Sequence, residues 1–176
     1  MNKVINIPKN NTFAKDFLLY ARTVAVTVVL MTCVFSINKV PSTSMKPTIS
    51  PNSLIINWRL PYLLSNPMPK HGDIIVFQSP DEAKLLVKRV IGLPGDRISF
   101  ADGYVFRNGE KLEEPYLAEQ GRTFSSELEY EVPAGMLFVM GDNREHSRDS
   151  RFMTSTFVPV ESVQAKNMFS FRSLLQ

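Results

Sequence analysis

Arg97-Ile98-Ser99-Phe100-Ala101-Asp102-Gly103-Tyr104-Val105-Phe106-Arg107-Asn108-Gly109-Glu110-Lys111-Leu112 decides the fold class. Polar and apolar side chains alternate around Asp102-Gly103 and Asn108-Gly109, dipeptides that supply the positive φ angles of two-residue hairpin turns. An alternation of period two cannot give a helix one apolar face, so the stretch predicts a β-meander. Toward the N-terminus, Lys84–Ile91 has strand character and closes at Gly92-Leu93-Pro94-Gly95-Asp96. Ile74-Ile75-Val76-Phe77 is apolar without alternation, the pattern of a strand buried on both faces. Pro61, Asn66, Pro67 and Pro69 break the preceding segment into a loop, and Leu54–Trp58 predicts another strand. Toward the C-terminus, Glu113–Tyr130 predicts a long polar loop, and Met136–Met140 and Val158-Pro159-Val160 predict strands.

Pro41-Ser42-Thr43-Ser44-Met45-Lys46-Pro47-Thr48 opens this β region. Its two prolines exclude a helix and bias the residues before them toward extended backbone, so the stretch predicts an exposed strand presenting small hydroxyl side chains. Ahead of it runs the one long apolar segment. Phe17–Ile37, with Arg22 reaching toward the head groups, has the roughly 20 residues a helix needs to cross a bilayer. No Ala-x-Ala follows Ile37, which argues for a retained anchor over a cleaved leader, and the residue before Cys33 is too large for lipoprotein processing.

The net charge of +3 on 176 residues is located in residues 1–22, where Lys3, Lys9, Lys15 and Arg22 outnumber Asp16. The remaining charges balance, which argues against a phosphate-neutralising face and hence a nucleic-acid partner. Basic residues on this flank place the N-terminus in the cytoplasm and the rest of the chain on the other side of the membrane. The expected organisation is a cytoplasmic segment 1–16, a transmembrane helix 17–37 and an extracytoplasmic β domain 38–176, with 97–138 as a hairpin subregion.

Ser44 needs a base to act as a nucleophile, and two candidates exist. Lys88 lies among Leu85, Leu86, Val87, Val90 and Ile91, surroundings that lower a lysine pKa by desolvation. His146 lies in a polar loop beside Ser147 and Asp149, so a Ser-His-Asp arrangement is a weaker second reading, since no serine sits in a Gly-x-Ser-x-Gly elbow. Two histidines without metal-ligand spacing, and Cys33 as the one cysteine, predict neither metal nor cofactor.

Four stretches taken together resemble the type I signal peptidases, membrane-anchored serine peptidases with a Ser/Lys dyad. They are Pro-Ser-x-Ser-Met-x-Pro-Thr from Pro41, His71-Gly72-Asp73-Ile74-Ile75-Val76-Phe77, Lys-Arg-Val-Ile-Gly-Leu-Pro-Gly-Asp from Lys88, and Gly-Asp-Asn-Arg-x-x-Ser-x-Asp-Ser-Arg from Gly141. The resemblance implies a mainly β fold, one N-terminal transmembrane helix followed by an all-antiparallel-β catalytic domain with a small β-meander insertion. It implies Ser44 as nucleophile, Lys88 as general base, and Ser42 with the Ser44 N–H as oxyanion hole. Ser147 would orient the Lys88 amine, and Asp149, Arg151, Asp142 and Asn143 would support the dyad. Val40, Pro41, Met45, Ile49, Leu86 and Val87 would line pockets for small substrate side chains. The implied partners are signal-peptide-bearing precursors and membrane lipid, and the implied location is the cytoplasmic membrane. Two positions depart from the family pattern: Phe152-Met153-Thr154-Ser155-Thr156 stands where an aromatic pair and a glycine are usual, and Leu86 replaces a common tyrosine. A specialised relative processing a few substrates such as conjugation pilin is the alternative, and a non-catalytic anchored peptide-binding β module is a more distant one.

Overall fold

A computed structural model describes residues 12–171, so most of the basic segment 1–16 and the tail 172–176 lie outside the described residues. Helix α1 spans Thr12–Val34, and Phe13–Val34, with a mean hydropathy of 2.0, is long and apolar enough to cross a membrane. The helix ends three residues before the expected limit of the span, because Phe35-Ser36-Ile37 are already strand.

The remaining described residues form two antiparallel sheets. The larger contains β1 (Phe35–Val40), β2 (Ser53–Trp58), β3 (Ile74–Gln78), β4 (Leu85–Gly92), β9 (Met136–Met140), β10 (Val158–Pro159) and β11 (Val163–Phe171), in the order β1-β2-β11-β3-β4-β9-β10. The smaller contains β5 (Arg97–Ala101), β6 (Tyr104–Arg107), β7 (Glu110–Lys111) and β8 (Glu129–Glu131), in the order β7-β6-β5-β8. Its hairpins turn where the sequence places them, with φ of 50° and 78° at Asp102 and Gly103 and of 55° and 84° at Asn108 and Gly109. The subregion expected over 97–138 ends at Glu131, because Met136–Phe138 belong to β9 of the larger sheet. A short helix α2, Leu60–Leu64, replaces part of the expected loop, with Pro61 in its first turn, where the missing N–H leaves nothing unpaired.

Three groups of buried side chains hold the sheets. Ile75, Phe77, Val90, Leu137 and Val139 fill the centre of the larger sheet, and Ile98, Phe100, Val105, Tyr130 and Phe138 join the smaller sheet to it. The third group, Val40, Met45, Ile49, Ile55, Val76 and Ala165, lies directly under the Ser44 segment. Two features of pairing expose an opening beside it. β1 is an edge strand that pairs with β2 alone, and β4 pairs with β9 only through Arg89–Gly92, leaving Leu85–Lys88 unpaired on that side.

Candidate active site

Within the Pro41–Thr48 segment, Ser44–Thr48 forms a turn and not the extended strand its prolines predict. The Lys46 N–H donates to the Thr43 carbonyl at 3.1 Å and the Ile49 N–H to the Met45 carbonyl at 2.8 Å, so donors that an edge strand would offer are consumed locally. The four-residue step puts Met45 and Ile49 on one side, where both are buried in the third core group. They therefore do not line the groove, where the resemblance would place them. Burial of each contributes roughly 1.5–3 kcal/mol, enough to anchor the segment.

That anchoring presents Ser44 toward β4. Lys88, mid-strand and 3% exposed, donates from Nζ to Ser44 Oγ at 2.8 Å and to the Val87 carbonyl at 3.2 Å. Burial lowers the Lys88 pKa from 10.5 to about 8; the Asp149 carboxylate opposes that shift and Lys84 adds to it. The amine is thus partly neutral near pH 7 and able to take a proton from the hydroxyl it touches. The exposed Ser42 hydroxyl accepts the Ser44 N–H at 3.1 Å, which sets both groups beside the reacting oxygen.

A buried ionic lattice fixes the site from behind. The Asn143 N–H donates to the Ser44 carbonyl at 2.9 Å and its Nδ2 to the Thr43 carbonyl at 3.1 Å. Asp142 accepts from Arg89 through Nε at 2.8 Å and Nη2 at 2.7 Å, and also from the Thr48 hydroxyl. Asp149 accepts both Arg151 Nε at 2.8 Å and the Gly141 N–H at 2.9 Å. Gly141 allows a close approach here, since a Cβ there would lie 2.2 Å from Ser147 Oγ and 2.5 Å from the Ser44 carbonyl oxygen. Ser147 Oγ is buried without a hydrogen-bond partner, so no bond joins it to Lys88 in this state. The Ser-His-Asp alternative lacks its geometry: His146 is exposed, and Asp149 is engaged by Arg151 and Gly141.

Sequence reasoning missed the outer part of this lattice. Arg144 donates to Glu114 through both terminal nitrogens and to the Gly141 carbonyl through Nε, while Tyr116 donates to Glu114 and stacks on Arg89. Glu114 and Tyr116 sit in the stretch that reads only as a polar loop, and no spacing pattern marks them. The opening itself is a groove of about 430 Å³. Val40, Pro41 and Ser42 line one wall, Leu86, Val87 and Lys88 the other, and His146, Arg148 and Met153 add contacts that the sequence does not announce.

A family model described as "Signal peptidase, peptidase S26" matches residues 13–172. The chain belongs to the signal peptidase family. Among its relatives, the probable signal peptidase I-2 of Synechocystis is 32% identical over 93% of this chain and 75% of that protein. The signal peptidase I of Rickettsia prowazekii is 30% identical over 93% of this chain and 82% of that protein. A crystal structure of a signal peptidase I from Enterococcus faecalis is 36% identical, covers 57% of this chain and 97% of that one, and superposes with a TM-score of 0.50. Membership in the signal peptidase family makes the protein a serine peptidase, and the family's membrane anchoring agrees with the apolar helix α1.

Proposed function

We propose that the protein is a membrane-anchored endopeptidase that removes signal peptides from exported precursors, with Ser44 as nucleophile and Lys88 as general base. The observation that carries this reading is the buried 2.8 Å contact between Lys88 Nζ and Ser44 Oγ, on an amine whose pKa burial brings to about 8. The basic flank before α1 supports a cytoplasmic N-terminus with the β region on the opposite side of the membrane. An extended precursor segment adds as a strand between the edge at Val40–Ser42 and the unpaired half of β4. Val40, Pro41, Leu86 and Val87 then receive its small side chains.

Ser44 Oγ attacks the scissile carbonyl carbon as its proton passes to Lys88 Nζ, and the carbonyl electron pair moves to oxygen. The Ser44 N–H and Ser42 O–H receive that oxyanion, the carbonyl replacing Ser42 Oγ as acceptor for the N–H. Collapse expels the amine, which takes the proton from the Lys88 ammonium. Water then repeats the sequence, giving its proton to Lys88 and releasing the carboxylic acid from Ser44. Ser147 Oγ, a buried polar atom without a partner, serves as the acceptor that orients the ammonium between steps. Asp142, Asn143, Asp149 and Arg151 hold the two loops in register.

The test uses a panel of exported precursors with small residues one and three positions before the cut. Ser44→Ala and Lys88→Arg should be folded and inactive, the latter because a guanidinium stays protonated, while His146→Ala should retain cleavage. An active Lys88→Arg protein, or an inactive His146→Ala one, refutes the dyad. Cleavage of one precursor alone would identify a specialised peptidase.

A further inference from the structure

The groove changes character with distance from Ser44. Lys84 lies four residues before Lys88 along the same extended chain, about 13 Å at the rise of a strand. There the lining passes from Leu86 and Val87 to Asp81, Glu82, Lys84 and Arg148, with Lys39 on the facing wall. Arg148 reaches across to Glu82 at 3.3 Å and Asp81 at 3.6 Å, and Lys84 also pairs with Glu82. Asp81 is further committed, since its oxygens accept the Thr154 N–H at 2.8 Å and the Ser155 N–H at 2.9 Å. Those two bonds staple the unusual Phe152–Thr156 segment to the β3–β4 turn and carry Met153 into the groove wall.

Charge at this end is unbalanced, with three cations facing two carboxylates, one of them already held by backbone donors. The Arg148 and Lys84 side chains are each 57% exposed, so their present ion pairs are weak and a ligand carboxylate can replace Glu82 at little cost. We propose that this end of the groove is an upstream subsite for an acidic side chain four to five residues before the scissile bond, with Arg148 as its specificity-determining residue. The assignment rests on the signal peptidase reading, which fixes Ser44 at the cut and the small-residue pockets next to it. Precursors bearing a carboxylate between the apolar core of the signal peptide and the cleavage site are its substrate class.

The experiment uses the detergent-solubilised full chain and three peptides that differ only at the fourth and fifth positions before the bond, carrying Asp, Asn or Lys. The expected order of kcat/KM is Asp, then Asn, then Lys, with about a tenfold span at low salt that shrinks at 0.5 M salt as exposed charges are screened. Arg148→Gln should compress the Asp-to-Lys ratio toward one, and Glu82→Gln, which removes the internal competitor, should widen it. Because the readout is a ratio within each variant, a general fall in turnover does not imitate it. Equal cleavage of all three peptides by the wild type, or a ratio untouched by both substitutions, overturns the subsite alone. A wild type that cleaves none of them refutes the peptidase reading and the subsite with it.

Discussion

Replacing Lys88 by Met should abolish cleavage and, near neutral pH, make the protein harder to unfold. Lys88 is 3% exposed, and its amine is held at a pKa of about 8 against 10.5 for the ordinary side chain. Each pKa unit is worth roughly 1.36 kcal/mol, so a protonated Lys88 costs the folded state about 3 kcal/mol at pH 7. Met also removes the donor to Ser44 Oγ and the Val87 carbonyl, an offset of about 1 kcal/mol for each bond. The offset does not vary with pH in the window of interest, whereas the desolvation cost does. Between pH 8 and 10.5 the unfolded chain binds more protons than the folded one, so wild-type stability recovers as pH rises through that window and the full cost remains below it. The stability gap between variant and wild type should therefore shrink by about 1.3 kcal/mol from pH 7 to 9 and by a further ~1.2 from pH 9 to 10. Denaturant unfolding of both proteins in the same detergent at four pH values measures it. A gap that stays constant from pH 7 to 10 means that Lys88 titrates at its ordinary value in the folded protein, and the physical basis for its acting as a base is lost.

Gly141→Ala should reduce kcat at least 100-fold with a smaller change in KM, because the added methyl meets Ser147 Oγ and the Ser44 carbonyl and displaces the nucleophile from its base; steady-state kinetics near wild type would contradict this. Glu114→Ala should destabilise the protein by about 3–5 kcal/mol in urea unfolding, since it leaves the Arg144 guanidinium buried without a carboxylate. Glu114→Gln should fall between the two, and a Glu114→Ala protein of normal stability would show that water compensates Arg144.

Much of the fold is legible because local rules and tertiary structure agree. The hairpins over 97–111 turn at Asp-Gly and Asn-Gly, and β3 is buried as its unbroken apolar run implies. β11 is hidden because its register shifts between Asn167 and Phe169, which breaks the period-two signal in the middle of the strand. Prolines misdirect twice. Pro61 reads as a breaker but begins a helix, and the Pro41–Thr48 segment reads as extended yet folds back through the bonds that Lys46 and Ile49 make. That reversal is why Met45 and Ile49 are core and not pocket. Lys88 stands out in the sequence because its neighbours are apolar, so burial follows from strand formation alone. Glu114 gives no such sign, since its buried partner Arg144 is 30 residues away and only the folded loop brings them together.

The half-paired strand β4 bears on how client proteins evolve. A chain that docks by completing a sheet is gripped through its peptide groups, which every sequence possesses, and side-chain scrutiny falls on the few positions that meet a wall. Between those positions the client can drift freely. One peptidase can then keep pace with many diverging precursors without changing itself.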